Sequence, residues 1–152
     1  MNKLQLKEKL LAEGKRLQET VVHDLETSTT NLLTSANQEG EEDGDSRFES
    51  TQEERMDERD LLQGPLDAAV RNLTILQSIS PDAPHGTVTL GSVVMTPDQN
   101  FFVSINLGTM VVDQQSFVGI STAAPIYQAM ANKKEGDSFV FQDREYRIES
   151  LF

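Results

Sequence analysis

The sequence predicts an α+β fold in which a long helical hairpin precedes a small, mostly antiparallel sheet with one short helix. Apolar residues recur every three or four positions up to about Ile79. A cluster of helix and strand breakers follows from Ser80 to Gly86, and beyond it apolar residues alternate with polar ones. Helical periodicity before the break and strand periodicity after it therefore place the helices first and the sheet second.

Two long amphipathic helices are expected in the first half. The first is predicted to run from Asn2 to about Asn37, because this stretch contains no proline and keeps one apolar face. The second is predicted to end near Ile79, since apolar residues lie seven positions apart at Leu62, Ala69 and Leu76. Gly64-Pro65 predicts a bend or a local break in it. Such helices bury their apolar stripes by folding back on each other, as an antiparallel coiled-coil hairpin.

The second half is predicted to form short strands. The strands are expected at Val88–Leu90, Val93–Met95, Phe101–Leu107, Thr109–Val112, Phe117–Ile120, Phe139–Phe141 and, last, through Tyr146, Ile148 and Phe152. Ser121 or Thr122 is expected to cap a short helix with Pro125 in its first turn. The predicted organisation is therefore a hairpin over residues 1–80, a linker over 81–85 and a sheet domain over 86–152.

Acidic residues are concentrated between the two predicted helices. The formal net charge is -12, and residues 38–60 contain eleven acidic residues against three arginines. This balance opposes direct, sequence-specific nucleic-acid binding, which normally uses clustered Lys and Arg, and it favours a basic protein or a divalent cation as partner. Cysteine is absent, which excludes disulfides, thiolate zinc sites and cysteine nucleophiles. The sequence offers no nucleophile elbow or phosphate-binding loop, so classical covalent and nucleotide-binding enzymes have no support.

Targeting signals are also missing from the sequence. No apolar run is long enough to span a bilayer, and MNKLQLKEKL lacks the apolar core of a secretory signal. We therefore expect a cytoplasmic protein that does not associate with membranes.

Three segments of the second half are distinctive: GSVV at 91–94, ISTAAPIYQAMANKKEGD at 120–137 and YRI at 146–148. In order and spacing they resemble G-x-x-V, I-S-x-x-S-P-I-A-x-A-L-x-G-K-x-x-G-D and Y-x-I in the C-terminal domain of the Gre transcription elongation factors. The preceding hairpin with an acidic tip, at about residues 38–48, extends the resemblance over nearly the whole chain. The resemblance implies a Gre-type C-terminal domain over 86–152, with an FKBP-like sheet.

The acidic tip resembles the Gre tip in part. Counting back from QGPL at 63–66, which resembles E-G-R-I in the family, places the family's tip G-D on Gly44-Asp45 and its other tip acid on Phe48, next to Glu49. In Gre factors the arm enters the secondary channel of RNA polymerase, and its tip acids help to hold a second Mg²⁺ so that water cleaves backtracked RNA. The resemblance thus implies RNA polymerase as partner and a shared Mg²⁺ as cofactor, with Asp45 and either Asp43 or Glu49 as ligands.

The resemblance implies roles for the rest of the chain as well. The protein would not be an enzyme by itself, because the polymerase is the nuclease. The sheet domain would dock on the rim of the channel as a monomer, with plausible contacts at Ser121, Thr122 and Pro125 and at Met110 and Asp113.

Other functions stay open from the sequence. One is a regulator that enters the same channel without stimulating cleavage, and another is an acidic coiled-coil adaptor for some other basic protein. A calcium loop with Gly44 at its sixth position is a poor fit, because the twelfth position is Ser50 where a bidentate Glu is needed.

Overall fold

The computed structural model describes the backbone of residues 2–42 and 63–152, and the side chains of residues 2–30 and 63–152. Helix α1 spans Lys3–Glu42, and helix α2 is described over residues 63–78. The first helix is longer than predicted, so residues 38–42, expected to begin the acidic tip, are helical. Gly64 and Pro65 are the second and third residues of the described part of α2, and the predicted bend or local break there stays a prediction.

The described chain packs as two compact units. Unit 1 consists of Met1–Leu17 together with Thr74–Phe152, and unit 2 is Gln18–Leu73. Packing therefore groups the first turns of α1 and the last turn of α2 with the sheet. The predicted segments 1–80, 81–85 and 86–152 follow the order of elements along the chain, and that division stays a prediction.

Unit 2 shows direct contact between its two helices. Gln18 of α1 is buried and donates its side-chain amide to the backbone carbonyl of Ala69 in α2 at 2.9 Å. Val22 and Ala69 are buried as well. A buried amide with a partner avoids the cost of a polar group left without a hydrogen bond, so Gln18 fixes the pairing of the two helices at this level.

Unit 1 is built on a five-stranded sheet and a separate two-stranded ribbon. The strands are β1 (Val93–Met95), β2 (Asn100–Ser104), β3 (Gly108–Val112), β4 (Gln115–Ser121), β5 (Ser138–Phe141), β6 (Arg144–Arg147) and β7 (Ser150–Leu151). The sheet order is β3-β4-β2-β1-β7, and β5 pairs with β6. All pairs are antiparallel except β2 with β4. The short helix α3 spans Pro125–Met130. The predicted fold class, long helices followed by a mostly antiparallel sheet with one short helix, is confirmed.

Three of the predicted strands differ in the structure. The strand expected at Phe101–Leu107 ends at Ser104 as β2, and residues 105–107 belong to no strand. The other two differences concern residues that pair outside regular strands. Residues 88–90 are not a strand, although Val88 is buried and exchanges backbone hydrogen bonds with Asn132 and Lys133. The predicted last strand is two strands, β6 and β7, because the backbone of Ile148 pairs with Gly136 and Asp137 instead of continuing either strand. In both places hydrogen bonds between residues outside the strands replace the regular ladder.

The sheet buries apolar side chains on both faces. On one face, Val93, Phe102 and Phe117 pack with residues of α1 and α2, chiefly Leu6, Leu10, Leu11 and Leu76. On the other, Val94, Phe101 and Val103 pack with α3 and the ribbon, chiefly with Met130, Phe139 and Tyr146. Consecutive residues of a strand point to opposite faces, so β2 supplies Phe101 and Phe102 to different cores. Within unit 1, the sheet therefore lies between the segments of α1 and α2 on one face and α3 with the two-stranded ribbon on the other.

The β3–β4 connection is a two-residue hairpin turn with unusual residues. Val112 pairs with Gln115, and the turn residues Asp113 and Gln114 have positive φ angles of 52° and 67°. Two positive φ angles define a type I′ turn, which matches the twist of the strands and strongly prefers Gly at its second position. Gln114 therefore adopts a backbone conformation that disfavours residues with a β-carbon.

Replacing Gln114 with glycine is expected to stabilise the protein by about 0.5–1 kcal/mol, because glycine relieves this conformation at a small entropic cost in the unfolded chain. Urea denaturation of Gln114→Gly measures the change. Gln115→Gly is the matched control: Gln115 is the first residue of β4, and we expect it to destabilise by about 0.5–1 kcal/mol. A less stable Gln114→Gly variant would contradict the assignment of the turn.

Candidate partner-binding site

A cleft of about 310 Å³ lies where β4 ends and α3 begins. It is lined by Asn106, Val118–Ser121 and Ala123–Pro125, all of them uncharged. The predicted contact residues Ser121 and Pro125 are thus brought together at one surface. An uncharged and partly apolar cleft is suited to an apolar side chain of a partner rather than to an ion.

The turn between β4 and α3 is held by its own hydrogen bonds. The Ser121 hydroxyl accepts a hydrogen bond from the Ala123 N–H at 3.3 Å. The backbone carbonyl of Ser121 accepts a second one from the Ala124 N–H at 3.1 Å. The Thr122 carbonyl accepts from the side-chain amide of Gln128 at 3.3 Å. These bonds fix the backbone while Thr122 and Ala123 stay exposed, so the surface is preorganised for contact.

The predicted helix cap is wrong. The residue before α3 is Ala124, which has an extended backbone and no side-chain capping bond. Ser121 and Thr122 lie earlier in the turn, where the Ser121 hydroxyl is used locally. Pro125 occupies the first helical turn, as predicted, and its fixed φ and missing N–H suit that position.

The floor of the cleft depends on close packing between Gly119 and Leu107. A β-carbon placed on Gly119 would lie 2.6 Å from Cβ of Leu107 and 3.2 Å from the carbonyl oxygen of Ile105. Gly119 is buried in the middle of β4. Sequence reasoning missed its part in the cleft, although an isolated glycine within a strand pattern is a recognised sign of close approach by another group.

Met110 and Asp113 occupy different surroundings from the cleft. Met110 is 2% exposed and packs in the core on the α1 side of the sheet, so its side chain does not contribute to the molecular surface. The Asp113 carboxylate accepts two hydrogen bonds from the Lys9 ammonium, at 2.9 and 3.2 Å. Of the predicted contact residues, Ser121 and Pro125 line the cleft and Thr122 is exposed in the turn beside it, and their binding to a partner stays a prediction.

The predicted magnesium ligands are three acidic residues that follow α1 in the sequence. Asp43, Asp45 and Glu49 lie outside the described residues. Among residues 2–30 and 63–152, whose side chains the structure describes, no three or more His, Asp or Glu side chains are grouped so that they could hold a metal ion. Over the same residues, no helix is long and apolar enough to cross a membrane.

No protein-family model matches the chain, and no curated protein matches it. The chain is similar to a solved structure described as "Structure of the transcription factor Gfh1", at 19% identity over 91% of this chain and 92% of that chain, with a TM-score of 0.33. A TM-score this low does not establish a shared arrangement, so the fold described above stands on the protein's own contacts.

Proposed function

We propose that this protein is a Gre-like regulator of transcription, a monomer that binds RNA polymerase in the cytoplasm and inserts its acidic-tipped hairpin into the secondary channel. The proposal rests on the three distinctive segments of the second half, which resemble the Gre pattern in order and spacing. The described structure supports it by giving each segment a specific structural task.

The strongest support is the junction between the second and third segments. Gly136 has a φ of 92° and donates its N–H to the Ile148 carbonyl at 2.8 Å. Ile148 in turn donates to the Asp137 carbonyl at 2.8 Å, and the Asp137 carboxylate accepts from the Lys134 N–H at 2.9 Å. The K-x-x-G-D turn therefore pairs with the end of the Y-x-I segment through backbone bonds. Gly suits the positive φ of residue 136, and Asp supplies the carboxylate that accepts from the Lys134 N–H.

The first segment has a comparable requirement. Gly91 has a φ of 93°, and a β-carbon there would lie 3.2 Å from Ile79 and 3.3 Å from His85. Glycine is thus needed both for the backbone conformation and for the space. Gly91, Gly136 and Asp137, three of the residues shared with the Gre pattern, thus have specific roles in this fold, which supports the proposal.

The cleft beside Ser121 and Pro125 is our proposed contact with the channel rim. Binding to purified core RNA polymerase in a pull-down at low ionic strength tests it, and no association would overturn the proposal in favour of an acidic adaptor for another protein. Ala123→Arg puts a long cation on the exposed rim of the cleft and is expected to weaken binding at least tenfold. Ala12→Arg makes the same substitution at an exposed position of α1 and is expected to leave binding unchanged.

At the tip, Asp45 with Asp43 or Glu49 is proposed to complete the coordination of a Mg²⁺ in the polymerase active site. Carboxylates suit this role because Mg²⁺ prefers hard oxygen ligands and keeps several of its waters, one of which can attack a phosphodiester. The protein alone has no nuclease activity in this proposal.

Adding the protein to a backtracked elongation complex should release 3′-terminal RNA fragments, and Asp45→Ala should abolish them while polymerase binding persists. If binding occurs without fragments, the protein is a regulator that occupies the channel without stimulating cleavage. Fragments unchanged by Asp45→Ala would contradict the assignment of the tip.

A further inference from the structure

A second cleft, of about 390 Å³, lies within unit 1 away from the β4–α3 turn. It is lined by Lys3, Leu4 and Lys7 from the first turns of α1, by the connecting segment Pro81–His85, and by Leu151 and Phe152. The function proposed above does not use it. Its volume is in the range of small-molecule sites.

Lys7 is the unusual residue of this cleft. Its side chain is 1% exposed, and its ammonium has no hydrogen-bond partner among the described residues. Lys9, two residues later, is exposed and pairs with Asp113. A buried cation without a partner is costly, and folded proteins normally pair such a group or leave it in water. An anionic ligand in the cleft would supply the partner that the Lys7 ammonium lacks among the described residues.

The surroundings of Lys7 add to the positive potential. Lys3 and Lys7 lie in the first turns of α1, whose N-terminus carries the positive end of the helix dipole and whose first turn has no acidic residue. The Lys3 ammonium lies 5.4 Å from the centre of the Phe152 ring. Asp82 is the one acidic side chain in the lining, and it already accepts a hydrogen bond from the Ser80 hydroxyl.

The His85 side chain lines the cleft without adding a positive charge. One ring nitrogen, Nδ1, lies 3.0 Å from the Thr89 hydroxyl. Burial, and then the nearby charge of Lys7, lower the pKa of His85 below its usual value, so the imidazole is neutral at pH 7. The positive charge in the lining is thus that of the Lys3 and Lys7 ammonium groups, of which Lys7 is the buried one.

The remaining walls are apolar: Leu4, Leu151 and Phe152 on one part of the lining, and Pro81, Ala83 and Pro84 on the connecting segment. We propose that this cleft binds a small organic carboxylate, whose anionic group pairs with the Lys7 ammonium and whose apolar tail lies against Leu4, Leu151 and Phe152. Inorganic phosphate fits less well, because it has no apolar part and because Asp82 repels a dianion. The inference does not depend on RNA polymerase binding.

Hexanoate is a suitable probe, with 1-hexanol as its uncharged counterpart and inorganic phosphate as an anion without a tail. Titrations of the full chain at pH 7, in a buffer free of carboxylates and phosphate, are followed by amide chemical shifts. Hexanoate is expected to saturate below about 10 mM, as for a ligand of eight heavy atoms, and to shift Leu4, Ala83 and Leu151. Hexanol and phosphate are each expected to bind at least tenfold more weakly.

Variants test the role of the ammonium. Lys7→Met is expected to weaken hexanoate binding at least tenfold, and Lys134→Met, at an exposed turn position, to leave it unchanged. Ala83→Glu adds a carboxylate to the wall without altering Lys7 and should weaken hexanoate binding while sparing hexanol. The proposal is overturned by a lack of saturation, by hexanol or phosphate binding as tightly as hexanoate, or by full hexanoate affinity in Lys7→Met.

Discussion

Replacing Lys7 with methionine is expected to raise the free energy of unfolding by about 3 kcal/mol at pH 7. Lys7 is buried, its ammonium has no partner among the described residues, and desolvation lowers its pKa from 10.5 to about 8. Each unit of pKa shift corresponds to about 1.4 kcal/mol between the charged and neutral forms. Methionine has a similar length and no charge to desolvate, so it removes the cost and keeps the packing.

The same residue predicts how stability depends on pH. Between about pH 8 and 10.5 the folded protein has released the Lys7 proton while the unfolded chain still binds it. Stability of the wild type should therefore rise with pH through this window, because the unfolded state binds more protons. The free energy of unfolding of Lys7→Met should lack this rise with pH. The difference in stability between Lys7→Met and the wild type should therefore shrink as the pH approaches 10.5. The other charged or titratable side chains in the cleft lining are those of Lys3, Asp82 and His85. They are the same in the wild type and in Lys7→Met, so they contribute equally to both proteins.

Urea denaturation of both proteins from pH 7 to 10.5, in buffers without carboxylates, measures this difference, with Lys134→Met as the control for loss of an exposed lysine. Equal stabilities at pH 7, or a constant difference across the window, would show that Lys7 finds a partner or solvent in solution.

Gly119→Ala is expected to destabilise the protein by about 1–3 kcal/mol, a typical cost of overpacking a well-packed core. The added methyl group would lie 2.6 Å from Cβ of Leu107 and 3.2 Å from the carbonyl oxygen of Ile105, so moving away from Leu107 is restricted by Ile105. β4 is paired on both sides, with β2 and β3, so the strand cannot shift without loss of ladder hydrogen bonds. The cleft beside Ser121 should be distorted together with the strand.

A double-mutant cycle separates this clash from other effects. Leu107→Ala removes the outer atoms of the leucine but keeps its β-carbon, so it should relieve only part of the strain in Gly119→Ala. Leu107→Gly removes the β-carbon as well and should recover most of the loss, after correction for the effect of Leu107→Gly alone. Additive effects of Gly119→Ala and Leu107→Gly would rule out the Leu107 contact as the cause.

Periodicity predicted the architecture well, because the two core faces of the sheet depend on side-chain alternation that is visible in the sequence. β2 is the clearest case, with Phe101 and Phe102 supplied to opposite cores. The pattern failed at Val88, where an apolar residue is buried through loop hydrogen bonds rather than in a ladder. It also failed at the α3 cap, because tertiary packing can end a strand and begin a helix without a capping side chain.

The candidate sites were predictable only in part. Ser121 and Pro125 follow from a motif, whereas Asn106 and Gly119 reach the same cleft through the fold of the sheet. Lys7 appears in the sequence as an ordinary lysine on an amphipathic helix. Only the packing of residues 81–85 and 151–152 beside it shows that it is buried.

Unit 1 is formed by two segments of the chain that are far apart in sequence. During synthesis, Leu6, Leu10 and Leu11 leave the ribosome long before the strands that cover them. Those strands end with β4 at Ser121, about 110 residues after Leu11, so at about 5–20 residues per second the interval is on the order of ten seconds. The first turns of α1 therefore present an apolar surface to the cell for that time, and a nascent-chain chaperone that binds leucine-rich helices would find its target there.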